Sequence, residues 1–323
     1  MRINLVTTQP HAAASMFYAE AMKSISGLSL YDSNVSSYDV ILVMTYDHEL
    51  IPQIRAINSK AKIGMIDPRS YKVTNNAQLC DFLIVDSIEM EDYWSILRKP
   101  ILRYSEYPNI PLIKKQHAVR DSVRIGYHGN LIHLDCMQES VTPAISSLAK
   151  LYNIELLVMT GGTPPSGSER WIPQGVTIKH VPWSMNNYLD YLSTCDIGIV
   201  PNNIIHSSDE KNSAALNRSY NYSLDDFSIR FKMPSNPGRF IIFGKLGIPV
   251  VADFYPSALQ YLREDLSTGF VACNASGWEK CLEKLIVDVE LRQRMGDGLQ
   301  SLVETNFNFS LQNQKLLDFL QSL

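Results

Sequence analysis

Residues 228–253 read SIRFKMPSNPGRFIIFGKLGIPVVAD, and this stretch decides the fold. It parses as a basic extended segment, a turn, a short helix, a second turn and a buried strand. Ser235 or Asn236 suits the N-cap of the helix, with Pro237 just inside its first turn. Arg239 to Leu246 supplies an amphipathic helix and Gly247 its end. Ile248 to Ala252 is an apolar run suited to a strand covered on both faces. A helix N-terminus carries unpaired N–H groups and partial positive charge, and Arg230, Lys232 and Arg239 gather at this one. The stretch is therefore either a phosphate-binding helix start or an ordinary capped helix of an α/β protein.

Outward from it, the whole chain alternates strand and helix. In the first part, strands are expected at Ile3–Thr7, Tyr38–Met44, Lys62–Ile66, Asp81–Val85 and Pro100–Arg103. Helices are expected at Ala12–Ser24, Asp47–Asn58 and Glu89–Leu97. That alternation predicts a parallel sheet with helices on both faces, and ligands at the carboxyl ends of its strands. The residues there are Thr7, Thr8, Gln9 and His11; Tyr46, Asp47 and His48; Asp67 and Arg69; Asp86 and Ser87. His11 and Asp67 stand out, because an imidazole and a carboxylate at neighbouring strand ends could move a proton. Equally, Asp67 to Ser70 reads as a simple turn and His11 as a solvated loop residue.

From Tyr104 to Asp121 periodicity is lost, as in an interdomain linker. The α/β theme then resumes. Val123–Tyr127 is a strand, His128-Gly129-Asn130 a turn, and residues near Asp135 to Tyr152 a helix. Ile154–Thr160 ends in Gly161 and Gly162, and Val176–His180 runs into Val181 and Pro182. A helix Met185–Ser193 and a strand Asp196–Val200 follow, then a polar stretch from Ile204 to Asp226. After the opening stretch come a helix near Ser257–Glu264, a strand Gly269–Ala272 and helices Gly277–Val287, Val289–Thr305 and Leu311–Leu323. His128 could polarise a bound group, or serve as a structural histidine. Gly129 admits close approach of a ligand to the backbone.

Composition narrows the function classes. The 323 residues favour two domains, and 45% hydrophobic residues suffice for real cores. A net charge of -4 argues against nucleic-acid binding. No apolar run is long enough to span a bilayer, and the start, MRINLVTTQPH, lacks a signal-peptide core. The five cysteines, Cys80, Cys136, Cys195, Cys273 and Cys281, have no metal-ligand spacing and suit free thiols in a reducing cytoplasm. The expectation is a cytoplasmic chain without an integral membrane segment. No Walker loop, G-x-G-x-x-G fingerprint, H-E-x-x-H motif or nucleophilic triad is present.

The order of these features resembles the glycosyltransferases of the GT-B fold, and among them the retaining, nucleotide-sugar-dependent group called family 4. IGYHGN (residues 125–130) looks like the glycine turn that opens the family's second domain, and LLVMTGG (156–162) like its glycine-ended strand. CDIGIVPN (195–202) looks like its next strand, and Gly247 to Ala252 match its G-x-P-V-V-A signature. The tail is matched by Trp278, Leu282, Asp288, Leu291, Arg292 and Met295, and DFLIVDS (81–87) resembles a first-domain motif. The sequence departs from the family at its glutamate pair, where Pro234 and Ile242 stand.

The resemblance implies an α/β chain of two Rossmann-like domains facing each other across a cleft. The domains would be an acceptor domain at 1–110, a linker at 111–121 and a nucleotide-sugar domain at 122–305. A last helix, 306–323, would cross back to the first domain. The implied activity is transfer of a sugar from a nucleotide-sugar to a glycan, lipid-linked or other hydroxyl acceptor, as in polysaccharide synthesis. It needs no metal and no cofactor beyond the donor, and allows peripheral membrane contact. Lys232, Arg239 and the Ser235-Asn236 amides would neutralise the leaving group, with Arg230 beside them. Gly129, Asn130, Gly161 and Gly162 would admit the donor, and the Val181-Pro182 backbone would pair with its base. His128 would assist at the reacting centre, and His11 and Asp67 would face the acceptor. The alternatives are a GT-B sugar-nucleotide epimerase and a non-catalytic nucleotide-binding member supporting an active subunit.

Overall fold

A computed structural model describes residues 1–69, 73–105, 109–131, 134–162, 169–202, 237–263 and 265–323. The described residues divide into two compact units: one within 1–109 with 237–238 and 307–323, the other within 110–202 with 239–306.

The first unit carries a six-stranded parallel sheet. Its strands are β1 (Ile3–Thr7), β2 (Leu28–Leu30), β3 (Val40–Met44), β4 (Lys62–Ile66), β5 (Phe82–Val85) and β6 (Ile101–Arg103). They lie in the order β2-β1-β3-β4-β5-β6. Strands β3 and β5 are apolar almost throughout because helices cover both faces. Those helices include α1 (Ala13–Met22), α2 (Leu50–Ile57), α3 (Thr74–Leu79) and α4 (Ile88–Trp94). Two elements escape the sequence pattern. Strand β2 is a three-residue edge without a buried residue, and α3 (TNNAQL) has no apolar stripe. Helix α2 starts at Leu50 rather than Asp47, because the Asp47 carboxylate accepts from the Glu49 amide and forms a turn of its own.

The second unit holds β7 (Val123–Gly129), β8 (Ile154–Thr160), β9 (Thr177–Pro182), β10 (Ile197–Val200), β11 (Val250–Asp253) and β12 (Gly269–Ala272). Their order is β12-β11-β10-β7-β8-β9, again all parallel. Helices α5 (Val141–Leu148) and α6 (Tyr188–Leu192) precede α7 (Gly238–Lys245), α8 (Ala275–Val287) and α9 (Val289–Asn306). Several expectations shift here. The turn at His128-Gly129 is the end of β7 itself, which pairs with β8 as far as Thr160. The long helix from Asp135 shortens to α5, because Pro143 lacks an amide donor and fits only a first turn. The helix near Ser257 is a 3-10 turn, Pro256–Gln260, and β11 continues past Ala252 to Asp253.

Helix α7 sits where it does because of two glycines. A Cβ on Gly198 of β10 would lie 2.7 Å from the Phe243 ring, and one on Gly126 of β7 3.7 Å from it. The bare backbones of neighbouring strands form a trough, and Phe243, fully buried, fills it. That seat sets the N-terminus of α7 at the carboxyl ends of β7 and β10.

Residues 110–121 have no regular structure but are fastened to the second unit. Ile113 N–H donates to the Lys245 carbonyl, and Lys115 Nζ to the Ser193 carbonyl at 2.7 Å. His117 Nε2 lies 3.0 Å from the Gly247 carbonyl, and Gln293 accepts from the His117 amide. The last helix, α10 (Phe309–Ser322), packs on the first unit. There Asn313 accepts from the Tyr104 hydroxyl at 2.6 Å and donates to the Ala21 carbonyl, while Phe319 meets Phe82 edge-on.

Candidate functional site

Parallel sheets bind ligands where the strand order reverses, outside the carboxyl ends. In the second unit that point lies between β7 and β10, whose successors run to opposite edges. Three groups meet there.

First, β7 ends in Gly129 with φ 153°, a conformation that side chains rarely adopt. A Cβ there would lie 2.9 Å from the Tyr127 hydroxyl and 3.7 Å from Arg239 Cδ. The Tyr127 hydroxyl in turn donates to the Asn130 carbonyl at 2.7 Å, which fixes the turn.

Second, Arg239 enters from the first turn of α7 and is 2% exposed, with Nη1 3.4 Å from the Pro201 carbonyl. A buried guanidinium adds to the positive end of a helix. Next to it, His128 is buried edge-on to Phe243, with ring centroids 5.0 Å apart. Burial, and then the Arg239 charge, push its pKa down to about 3, so the imidazole is neutral at physiological pH. Its Nε2 has no hydrogen-bond partner.

Third, Asn202 follows β10, 1% exposed, with neither side-chain atom hydrogen-bonded. Its backbone N–H donates to Asp253 Oδ2 at 2.6 Å, and Asp253 Oδ1 accepts from Trp278 Nε1 at 2.7 Å. Asp253 thus anchors the ends of two strands. The sequence reading missed Asn202 and Asp253, the latter because the apolar pattern ends one residue earlier.

The other expected donor residues lie along β8 and β9. Among the described residues no atom lies within 4 Å of a Cβ built on Gly161, and Leu131 alone approaches one on Gly162. Thr160 Oγ1 donates to the Gly162 carbonyl and lies 2.8 Å from His180 Nε2. The Pro182 carbonyl accepts from the Asn187 side chain at 3.1 Å. Val181 pairs with Met159, and two residues on the Trp183 amide donates to Thr160. The Val181 backbone therefore faces β8. Arg230, Lys232, Ser235 and Asn236 lie outside the described residues. Pro237 precedes the first helical residue, Gly238. Ile242 is 2% exposed inside α7.

In the first unit the reversal lies between β1 and β3, where Thr8 and Thr45 hydroxyls are 3.2 Å apart. On the adjoining strands sits a charged cluster. Asp67 has φ 54° and its Oδ2 is 2.5 Å from Arg69 Nε, while Arg69 Nη2 is 3.1 Å from Asp86 Oδ2. The Asp67 and Asp86 side chains are 3% and 0% exposed. An aspartate in the left-handed region stores strain, which the arginine contact offsets. Tyr46 projects half exposed beside this cluster; burial and then Asp67 raise its pKa. His11 is exposed just before α1. Of the residues marked by sequence, the structure joins Asp67, Arg69 and Asp86, and Ser87 is used to cap α4.

Among the described residues no three His, Cys, Asp or Glu side chains cluster as a metal site would require, and no helix is long and apolar enough to cross a membrane.

No protein-family model matches the chain, and no curated protein matches it. Solved structures do. HepE of Anabaena, solved in complex with UDP and glucose, is 10% identical over 100% of both chains, with a TM-score of 0.64. A glycosyltransferase from Rickettsia africae is 11% identical over 99% of this chain and 97% of its own, at 0.62. Sucrose-phosphate synthase from Thermosynechococcus elongatus is 12% identical over 100% and 99%, also at 0.62. The chain shares the fold of these glycosyltransferases from end to end: two parallel six-stranded α/β units, as the GT-B resemblance implies.

Proposed function

We propose that this chain is a glycosyltransferase that moves a sugar from a nucleoside-diphosphate sugar to a hydroxyl acceptor. One observation carries the reading: buried Arg239, at the start of α7, stands over side-chain-free Gly129 at the switch point of the second sheet. An anion entering there meets a guanidinium, the positive end of a helix and an open backbone, which is what a departing diphosphate needs. HepE of Anabaena has been solved with UDP-glucose, and UDP-sugars are accordingly the first donors to test.

In this reading Arg239 and the α7 amides stabilise the leaving phosphate. Neutral His128 adds no charge, and its Nε2 and the Asn202 amide serve as hydrogen-bonding groups for the donor. The cluster of Asp67, Arg69 and Asp86 with Tyr46, and His11 near it in the first unit, receive the acceptor. The acceptor is a carbohydrate or a lipid-linked glycan. The protein works in the cytoplasm, without a metal or other cofactor. Retaining chemistry of the family 4 kind is left out of the proposal, because Ile242 is buried where the family has a glutamate.

The test is thermal stabilisation against UDP, GDP, ADP, CMP and dTDP, repeated with Arg239→Ala. A ligand that binds only the native state raises the melting temperature by mass action. One responding nucleotide whose effect is lost in the variant supports the reading. A folded protein that responds to none overturns it.

A further inference from the structure

The turn after β3 holds its histidine in one orientation. Asp47 N–H donates to the hydroxyl of buried Thr45 at 2.9 Å, and Glu49 N–H donates to Asp47 Oδ1 at 2.9 Å. The Asp47 carbonyl accepts from Asn76 Nδ2 at 2.9 Å. His48 stands exposed between these two anchored neighbours, with Nδ1 3.1 Å from Asn76 Oδ1. Asn76 comes from α3, the helix without an apolar stripe, and is fully buried. A buried amide costs free energy unless both its ends are used, and here both are.

These bonds settle which ring nitrogen carries the proton. A carbonyl only accepts, so the Asn76 amide must turn Nδ2 to Asp47 and Oδ1 to the imidazole. Oδ1 also only accepts, so in the neutral ring Nδ1 holds the hydrogen and Nε2 the lone pair. An imidazole left to itself prefers the other tautomer. A buried amide is thus committed to presenting Nε2 as an acceptor at the carboxyl end of β3, where the order of the first sheet reverses.

The other proton-moving candidates of this unit are less fit. The Asp67 and Asp86 side chains are nearly or fully buried and both pair with Arg69, and an arginine-paired carboxylate is a weak base. His11 is exposed, and no hydrogen bond among the described residues fixes its ring. Strands β3 and β4 pair directly, so the His48 turn and the Asp67 turn end neighbouring strands.

We infer that His48 is the catalytic base of the first unit and Asn76 the residue that positions it, an inference that rests on the glycosyl-transfer reading. The Nε2 lone pair takes the proton of the acceptor hydroxyl as the acceptor oxygen bonds to the anomeric carbon of the donor sugar. The bond from that carbon to the diphosphate breaks, and the diphosphate leaves with the electron pair. His48, being exposed, then passes its proton to water. A positioned general base contributes about 10²–10⁴-fold to a rate.

The first measurement needs no acceptor. Long-range proton–nitrogen NMR of the full chain with isotope-labelled histidine, His48 being assigned by loss of its signals in His48→Gln, should show the neutral ring protonated on Nδ1. Asn76→Leu should return the ring toward the Nε2–H form. The second measurement is release of nucleotide from the glucose conjugate of whichever nucleotide stabilises the chain, UDP-glucose first, with water and with methyl glucosides as acceptors. His48→Gln should lower kcat about a hundred-fold with nucleotide affinity unchanged. In His48→Gly, added imidazole should raise kcat at least about ten-fold, which a merely structural role would not allow. An Nε2–H ring in the native protein, a kcat indifferent to His48→Gln, or no rescue by imidazole overturns the inference. Nucleotide binding without release from the conjugate under either condition does so too. A folded chain that binds no nucleotide overturns the glycosyl-transfer reading itself, so binding tells the two failures apart.

Discussion

The two sheets are built alike and finished differently. Both are parallel, six-stranded and reversed in order at one point, yet their carboxyl ends carry opposite chemistry. In the first unit two buried carboxylates flank one arginine, beside a half-exposed tyrosine. In the second a buried guanidinium, a neutral imidazole and an unpartnered amide surround a bare glycine. A net acidic, already paired cluster suits a neutral polyhydroxyl ligand, and a cationic helix start suits a phosphate. In the proposed reading one scaffold thus offers two sites that differ in the charge they accept.

The sharpest way to break that contrast is Arg239→Ala. Nucleotide affinity should fall about a hundred-fold, as loss of a buried charge-assisted contact of about 3 kcal/mol requires. Calorimetric titration measures it, and an unchanged affinity would remove the cationic site from the second sheet. Gly129→Ala comes next. The Cβ would meet the Tyr127 hydroxyl at 2.9 Å on a backbone that favours glycine, so stability should drop by about 2 kcal/mol and nucleotide binding about ten-fold. Denaturant titration and calorimetry read the two effects separately.

Asp67→Asn tests the other sheet. Asparagine keeps the left-handed backbone but loses the charge facing Arg69. Turnover should fall about ten-fold with nucleotide affinity unchanged; a loss of nucleotide binding would show that the two ends are not chemically separate. The last prediction concerns pH. His128 and His117 are both held below the usual histidine pKa, chiefly by burial. The unfolded chain therefore binds protons that the folded chain refuses, below about 6.5 and, for His128, down to about 3. Stability should be flat above pH 7 and fall on acidification by up to ~1.4 kcal/mol per pH unit for each histidine. His128→Gln should flatten part of that slope in urea titrations between pH 7 and 4.5; an unchanged slope would mean that the imidazole is not the buried base.

Much of this was legible in the sequence because apolar runs such as YDVILVM and IPVVAD, short and rich in Val and Ile, suit covered strands. Gly129 and Arg239 were legible as well, each beside a strand end or a helix start. Legibility failed where a residue's role depends on a distant partner. Asp253 matters through Asn202, 51 positions away, and no local pattern shows that. Gly126 and Gly198 read as ordinary strand residues until Phe243 is laid across them. Arg69 and Asp86 were visible as strand-end residues, but their joint attachment to Asp67 needs the register of β4 against β5. The helix α3 was missed because tertiary packing, which buries Asn76 and Ala77, holds it where propensity does not.

The strap at residues 113–118 also says where this molecule can be divided. Gln293 and Gln300 both donate to its carbonyls, and Arg292 bridges the Ala118 carbonyl to the end of α8. It passes Gly247 so closely that a Cβ there would lie 3.2 Å from Lys115, and Gly247 itself touches Gly296 of α9. Anyone isolating the second unit for crystallisation or ligand screening would be tempted to begin at the first strand, Val123. A fragment cut there would bare the groove between α7 and α9 and leave Arg292, 2% exposed in the intact chain, facing water where it once held a carbonyl. The cut belongs before Ile110, so that the fragment carries its own seam.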